Sequence, residues 1–218
     1  MSDMGSEGGG LERGIGEMDA LSRTVARLRP CLVRGKPLPN LLFFTDPVRT
    51  PDPAAIAERL PEGAAVVFRA FGAANAEALG LRLREITRRR GLGLLVGADP
   101  RLSAAIGADG LHLPERMTAE LPAIRTHHVD WLITLAAHDI EAARRGAAAG
   151  ADALVVSPVF PSRSPSAGEP LGVEGLKAIV EAIETPVYAL GGVRADTVHG
   201  LLDSGIVGIA AVEALGAS

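Results

Sequence analysis

Short apolar runs alternate with amphipathic segments along the chain from Leu41 onward. This alternation is typical of repeated strand–helix units around a parallel sheet. We predict strands at 41–45, 64–70, 92–97, 109–113, 130–135, 152–156, 186–190 and 206–211. We predict helices at 53–60, 74–90, 100–106, 117–125, 139–149, 172–183 and 194–203. Eight parallel strands with helices between them indicate a (βα)8 TIM barrel.

The residues before the first predicted strand divide into a tail and a helix with its linker. Residues 1–15 are predicted to be a disordered tail, and residues 16–40 a helix and linker. Within that segment, apolar side chains at 18, 21, 25 and 28 form a helical stripe. The barrel domain, 41–218, ends soon after its last strand, without an eighth outer helix. We expect the N-terminal helix to cover the surface left bare, and an oligomer partner is the alternative.

Composition and charge narrow the classes of partner. The 218 residues are 47% hydrophobic and 22% charged, which is ordinary for one soluble domain. The net charge is -4 and the basic residues are scattered, so we expect no nucleic-acid partner. The single cysteine, Cys31, excludes an intrachain disulfide and a multi-cysteine metal site. Without a signal peptide or an apolar run of about 20 residues, we expect a cytoplasmic protein with no membrane partner.

Two glycines end the seventh predicted strand and point to a phosphate ligand. In barrels of this class, the loops after strands 7 and 8 are the usual phosphate site. We expect the backbone amides of Gly191, Gly192, Ala211 and Val212 to bind the phosphate. Glu213 follows directly, and a carboxylate there repels a phosphate dianion unless it points away or is protonated. Glu213 can also be read simply as a first-turn helix residue.

Seven ordered pieces of the chain resemble the thiamine-phosphate synthase superfamily, which also contains the thiazole tautomerases. They read Phe-Thr-Asp at 44–46, Gly-Ala-Asp-Gly-Leu-His-Leu at 107–113, Ala-His-Asp at 137–139, Gly-Ala-Asp at 150–152, Pro-Val-Phe-Pro at 158–161, Pro-Leu-Gly at 170–172 and Pro-Val-Tyr-Ala-Leu-Gly-Gly-Val at 186–193. The resemblance implies a TIM barrel, a role in thiamine biosynthesis and a small ligand, a phosphorylated thiazole or pyrimidine.

The metal ligands of the synthases are replaced in this chain. Synthases join hydroxymethylpyrimidine diphosphate to thiazole phosphate with Mg²⁺, and they carry an Asn-Asp pair where this chain has Gly97-Ala98. Asp99 is either a substitute ligand or a helix cap. Met117 stands where the family has a second metal carboxylate, with Glu115 nearby. We therefore assign no metal site, and the resemblance implies Mg²⁺ only if synthase activity is retained.

The pyrophosphate-binding side chains are partly kept. Of the family's Gln-x-Arg-x-Lys on the second strand, this chain retains Arg69, which we expect to face the site and act there. The loop after the sixth strand reads Ser162-Arg163-Ser164-Pro165 in place of Thr-x-Thr-Lys. Both hydroxyls remain, and Arg163 is the candidate replacement for the lysine.

Two histidines are candidates for chemistry or ligand contact. Tautomerases lack the metal aspartates, have Leu-Pro after the fourth strand, as in Leu113-Pro114, and use a histidine at the position of His138. A histidine suits proton transfer because its ordinary pKa is near neutral. In the alternative interpretation, His138 merely flanks the helix cap Asp139. His112, near the end of the fourth strand, either contacts the ligand or is a core histidine.

Several functions remain open from the sequence. The protein is a divergent thiamine-phosphate synthase, a metal-free tautomerase-like isomerase that uses His138, or a non-catalytic protein that binds thiazole phosphate. Another phosphate-binding barrel, from sugar or amino-acid biosynthesis, is a more distant alternative. A homo-oligomer also remains open.

Overall fold

The fold of the chain is given by a computed structural model, which describes residues 8–162 and 168–215. Its strands are β1 (Leu32–Val33), β2 (Lys36–Pro37), β3 (Leu41–Phe44), β4 (Ala65–Phe68), β5 (Gly93–Gly97), β6 (Gly110–Leu113), β7 (Leu132–Ala137), β8 (Ala153–Val156), β9 (Val187–Ala189) and β10 (Gly208–Ala211). Its α-helices are α1 (Gly8–Val25), α2 (Pro53–Ala57), α3 (Ala76–Arg90), α4 (Pro100–Ala105), α5 (Leu121–His127), α6 (Ile140–Ala148) and α7 (Gly172–Glu181). Turns of 3-10 helix lie at Glu115–Glu120, Val198–Leu201 and Glu213–Leu215.

Strands β3 to β10 form a closed barrel of parallel strands. Each strand pairs with the next, and β10 closes the ring by pairing with β3, with Ile209 opposite Leu41. The predicted (βα)8 TIM barrel is therefore confirmed, and each predicted strand lies within a few residues of an observed one. Because helices cover the outside and side chains fill the inside, both faces of β3 are buried.

Aspartates begin three of the outer helices. Asp52, Asp99 and Asp139 each accept a hydrogen bond from the backbone N–H three residues further on, which caps α2, α4 and α6. Gly91 ends α3 in the left-handed conformation, with φ of 65°, directly after the three arginines of its last turn. Asp99 is therefore a helix cap.

The region predicted as a helix at 194–203 is mostly irregular. It contains only the 3-10 turn Val198–Leu201. The Thr197 hydroxyl accepts a hydrogen bond from the Arg194 N–H at 2.9 Å and donates to the Gly192 carbonyl at 3.0 Å. Such side-chain bonds satisfy the backbone locally and so compete with a regular helix. Likewise, the helix predicted at 117–125 is split into the turn Glu115–Glu120 and α5.

The N-terminal helix packs on the barrel next to its last strand. Met18, Leu21 and Val25 are buried, and α1 contacts the turns Val198–Leu201 and Glu213–Leu215. This is the covering role expected from the apolar stripe. The helix begins at Gly8, inside the segment predicted as a disordered tail. Residues 1–7 lie outside the described part of the chain.

A small hairpin, β1–β2, closes the amino end of the barrel and was missed by the hydrophobic pattern. Arg34, at its turn, donates hydrogen bonds to the Trp131 carbonyl at 2.5 Å and to the Asp152 carboxylate at 2.9 Å. The buried Tyr188 hydroxyl donates to the Pro39 carbonyl at 2.5 Å. The amino end is therefore closed by polar contacts, and the opposite end carries the cavity.

Candidate ligand-binding site

A cavity of about 950 Å³ opens at the carboxyl ends of the barrel strands. At every barrel strand, a residue near its carboxyl end or directly after it lines the cavity, as expected for the functional face of this fold. The cavity brings together the predicted site residues that lie in the described chain: Arg69, His112, His138, Ser162, Gly191, Gly192, Ala211 and Val212. The other two, Arg163 and Ser164, lie outside the described residues.

Gly191 and Gly192 are required by both conformation and packing. Their φ angles are 94° and 65°, which disfavour a side chain. A Cβ on Gly192 would lie 2.6 Å from the Pro161 carbonyl oxygen, and one on Gly191 would lie 2.8 Å from the Pro158 Cα. In addition, the Phe160 N–H donates to the Gly191 carbonyl at 2.9 Å. The loop after β8 therefore holds the loop after β9 in place.

Gly191, Gly192, Ala211 and Val212 line the cavity. We call their backbone amides the phosphate cradle, after the ligand that the sequence predicts for them. In the described chain, the amide N–H groups of Gly191 and Gly192 donate no hydrogen bond to another part of the protein. Amides left in this way at the mouth of a barrel suit an anionic ligand, because a phosphate can accept their hydrogen bonds.

Two carboxylates also line the cavity near the cradle. Glu213 begins the 3-10 turn after β10, and its carboxylate lies 3.8 Å from the Nη1 of Arg49. Glu17, on α1, accepts a hydrogen bond from the Ala195 N–H at 3.3 Å. Neither Arg49 nor Glu17 was singled out from the sequence, because the contacts depend on loops and a helix distant in the chain.

Arg69 follows β4 and is fixed against the loop after β3. Its backbone N–H donates to the Thr45 hydroxyl at 2.9 Å, and its Nε donates to the Thr45 carbonyl at 2.7 Å. Its Nη2 lies 3.6 Å from the Asp46 carboxylate and is buried without a hydrogen-bond partner in the described residues. A buried, unsatisfied guanidinium N–H is costly, so a ligand anion here would be favoured.

The Arg69 guanidinium is also held between two aromatic rings. Its Cζ lies 5.5 Å from the centroid of Phe44 and 5.1 Å from that of Phe71. Burial lowers the pKa of Arg69 to about 10, attraction to Asp46 opposes this and repulsion from Arg49 adds to it. Arg69 therefore keeps its charge at neutral pH. Phe71 has a φ of 49°, a strained conformation for a bulky residue, and hydrophobicity gave no signal for it.

His112 forms a buried part of the cavity wall. Its Nδ1 lies 2.9 Å from the Thr134 hydroxyl, and its ring packs edge-on against Phe44 with centroids 4.8 Å apart. Burial, and then repulsion from Arg69, lowers the pKa of His112 to about 3. His112 is therefore neutral at physiological pH and is a buried core histidine at the cavity wall, and its contact with a ligand stays a prediction.

His138 is exposed in the cavity just after β7. Its Nδ1 lies 2.7 Å from the Ser157 carbonyl oxygen. A carbonyl can only accept a hydrogen bond, so this contact places the hydrogen of the neutral ring on Nδ1 and leaves the lone pair on Nε2. The neighbouring Asp139 caps α6. His138 thus flanks a helix cap and also reaches the cavity in the tautomer that a base requires.

The side chains present do not fit a magnesium ion. The Asp99 carboxylate accepts the Leu102 N–H at 2.9 Å, as its cap role requires. Glu115 pairs with Arg145 at 2.9 Å and does not line the cavity, and Met117 packs against the core. Among the residues that the structure describes, no three His, Cys, Asp or Glu side chains converge in a way that could hold a metal.

The fold and the cavity define a class, the (βα)8 barrels with a ligand site at the carboxyl ends of the strands and glycine at the end of the penultimate strand. Within that class, the family model described as thiamine monophosphate synthase matches residues 41–215. The chain belongs to this family.

Individual relatives agree with this assignment. The thiamine-phosphate synthase of Pyrococcus furiosus is 31% identical over 180 residues, which cover 81% of this chain and 86% of that protein. The thiamine biosynthesis bifunctional protein ThiED of Geobacter sulfurreducens is 34% identical over 138 residues, 63% of this chain but only 28% of that protein. The solved thiamine phosphate pyrophosphorylase from Pyrococcus furiosus superposes with a TM-score of 0.72 at 28% identity, covering 83% of this chain and 89% of that one.

Membrane spans require helices that are both long and apolar. Among the helices of the described chain, none meets both requirements for crossing a membrane. The cytoplasmic location, the exclusion of nucleic-acid partners and the homo-oligomer stay predictions.

Proposed function

We propose that this protein binds a phosphorylated thiazole and isomerises it by moving a proton, without a metal ion, with His138 as the acid–base group. The observation that carries the proposal is the 2.7 Å hydrogen bond from His138 to the Ser157 carbonyl. This bond fixes the tautomer and leaves Nε2 as a proton acceptor at a cavity wall.

The remaining contacts supply binding. The phosphate cradle would hold the phosphate of the ligand, because backbone amides need no particular side chains for that purpose. Arg69 would contact a second anionic or electron-rich group, with its Nη2 as the donor. Ser162 lines the cavity, and roles for Arg163 and Ser164 stay predictions.

The proposed reaction is balanced within the ligand itself. Nε2 of His138 takes a proton from one carbon of the thiazole, and the protonated imidazole returns a proton to another position of the same conjugated system. One C–H bond breaks and one forms, and His138 ends as it began. The hydrogen bond to Ser157 is retained throughout, because the Nδ1–H donor is present in both the neutral and the protonated ring.

Replacement of His138 tests the proposal. In His138→Ala we expect isomerisation of thiazole phosphate to slow by about 10²- to 10⁴-fold, the usual contribution of a general acid–base group. The rate can be followed by NMR as exchange of the migrating proton with deuterated solvent. The matched control is His127→Ala, since His127 is also exposed but binds the Ala123 carbonyl at 2.8 Å on α5, outside the cavity. Full activity of His138→Ala would rule the proposal out.

A thiamine-phosphate synthase activity is the second candidate, favoured by the names of the relatives. It requires release of pyrophosphate from a pyrimidine diphosphate, and its product must form with a strict dependence on Mg²⁺. Binding of thiazole phosphate without turnover in either assay would instead support a non-catalytic binding protein.

A further inference from the structure

Glu213 poses an electrostatic problem for the proposed ligand. It follows Val212 of the phosphate cradle directly, and its side chain is 44% exposed at the cavity. A carboxylate at this position repels a phosphate dianion unless a cation stands between them. The nearest cation in the described chain is Arg49, whose Nη1 lies 3.8 Å from the Glu213 carboxylate.

Arg49 is held rigidly by the loop after β3. The Asp46 carboxylate accepts hydrogen bonds from the Val48 N–H at 3.1 Å, the Arg49 N–H at 2.9 Å and the Arg49 Nη2 at 2.8 Å. The buried Thr50 hydroxyl closes the same turn by bonding both the N–H and the carbonyl of Asp46. The guanidinium is therefore positioned before any ligand arrives, which lowers the entropy cost of binding.

Asp46 stays charged and so keeps its hold on Arg49. Burial alone would raise the pKa of Asp46, but the hydrogen bonds from Arg49 and from the Arg49 and Val48 amides outweigh burial and lower this pKa to about 2. By contrast, the 3.8 Å separation of Arg49 from Glu213 is longer than a hydrogen bond. Within the described residues, Nη1 of Arg49 donates no hydrogen bond, although the side chain is only 20% exposed.

We propose that Arg49 is the side-chain cation of the phosphate site, with Nη1 donating to a phosphate oxygen of the ligand. Glu213 lies 3.8 Å from this Nη1, too far to occupy it as a hydrogen-bond donor. This inference rests on the proposed function, because it deepens the description of the same site. The ligand class it selects is a phosphate monoester, whose negative charge the cradle and Arg49 would share.

A binding experiment with inorganic phosphate tests this role on the full chain. By calorimetry, Arg49→Ala should bind phosphate about tenfold or more weakly, the typical effect of losing one charged hydrogen bond. Arg49→Lys should retain part of the affinity, and Glu213→Gln should bind phosphate more tightly than the wild type. When Glu213 is already glutamine, Arg49→Ala should lower phosphate affinity by a smaller factor than it does in the wild type. The reason is that no unpaired carboxylate is left beside the anion.

Two controls separate binding from structure. Arg144→Ala removes a surface arginine that pairs with Glu141 at 2.8 Å outside the cavity, and it should leave phosphate affinity unchanged. A thiazole that lacks the phosphate should bind the wild type and Arg49→Ala with equal affinity, whereas thiazole phosphate should bind Arg49→Ala more weakly. If Arg49→Ala weakens both thiazoles equally, or leaves phosphate affinity unchanged, the proposal is overturned.

The failure of this proposal is distinguishable from that of the proposed function. Phosphate binding that depends on Arg49, together with an inactive wild-type protein or a fully active His138→Ala, supports the Arg49 role and overturns the isomerase. Isomerase activity that depends on His138, together with phosphate affinity that Arg49→Ala does not change, supports the isomerase and overturns the Arg49 role. A wild-type protein that binds no phosphate at millimolar concentration overturns the Arg49 role, and the isomerase is then decided by the His138→Ala assay alone.

Discussion

The rim of the cavity has two halves that differ in the groups they present. The cradle half consists of the loops after β9 and β10, and it presents backbone amides between tightly packed glycines. The metal half consists of Gly97-Ala98 at the end of β5 and residues 114–117 after β6, where the resemblance to the synthases implies side-chain ligands for a metal. A backbone site persists while the packing that shapes it persists, whereas one substitution is enough to remove a side-chain ligand.

The loops of the metal half are fixed by their own backbone. Ala98 has a φ of 61°, a conformation that asparagine, aspartate and glycine adopt more readily than alanine. Its N–H donates to the His112 carbonyl at 2.9 Å, which ties the loops after β5 and β6 together. Both halves are therefore fixed by backbone contacts, and they differ in the groups that they present to the cavity.

The largest stability effect should come from a methyl group in the cradle half. Gly192→Ala combines a positive φ with a 2.6 Å approach to the Pro161 carbonyl, and we expect it to lower the free energy of unfolding by about 2–4 kcal/mol. Gly192→Ala should also weaken phosphate binding, because the loop after β9 must move away from Pro161 to make room for the methyl group. Urea denaturation and calorimetry measure the two effects.

Gly150→Ala is the matched control for this change. Gly150 also has a positive φ, 87°, but a Cβ there would meet nothing within 4 Å. Gly150→Ala should lower the free energy of unfolding by only about 1 kcal/mol, because it adds only the strain of the left-handed conformation. It should leave phosphate affinity unchanged. Equal effects of the two substitutions would show that packing does not shape the cradle.

A smaller effect concerns His112, which forms the wall of the metal half. Its pKa lies below that of an unfolded histidine, so the unfolded state binds more protons below about pH 6.5. The contribution of neutral His112 to the free energy of unfolding is therefore fully present above that pH, and it is lost as the pH falls toward 3. Between pH 7 and pH 5 the wild type should lose about 2 kcal/mol more than His112→Gln in urea denaturation. The same loss in both proteins would contradict the burial of a neutral histidine.

The electrostatics around His112 also distinguish the metal half from the cradle half. The surroundings that disfavour the charged form of His112 are burial and the nearby Arg69 guanidinium. Both also disfavour a divalent cation at the same place, because it carries the same sign of charge as a protonated histidine and twice the magnitude.

Much of the fold and part of the site were predictable from the sequence. The alternation of apolar runs located the barrel strands, and the aspartates of the helix caps were visible as Asp-Pro and His-Asp steps. The glycines of the cradle were visible because two glycines at the end of a strand indicate a turn in which the backbone needs positive φ angles. These features depend on neighbours in the chain.

Features that depend on contacts distant in the chain were not predictable. The ion pair of Arg49 with Glu213 joins loops at opposite ends of the barrel sequence, and it forms because β3 and β10 are neighbours in the closed ring. The stacking of Arg69 between Phe44 and Phe71 requires Phe71 to adopt a left-handed conformation that its residue type disfavours. No local pattern reports either contact.

The central claim is that the cradle half binds its ligand without help from a metal in the other half. Calorimetry with thiazole phosphate and with the pyrimidine diphosphate, each with and without Mg²⁺, tests it most directly. The account predicts that thiazole phosphate binds with the same affinity in EDTA and in Mg²⁺, and that the pyrimidine diphosphate gains no affinity from the metal. Binding of either ligand that requires Mg²⁺ would contradict the account.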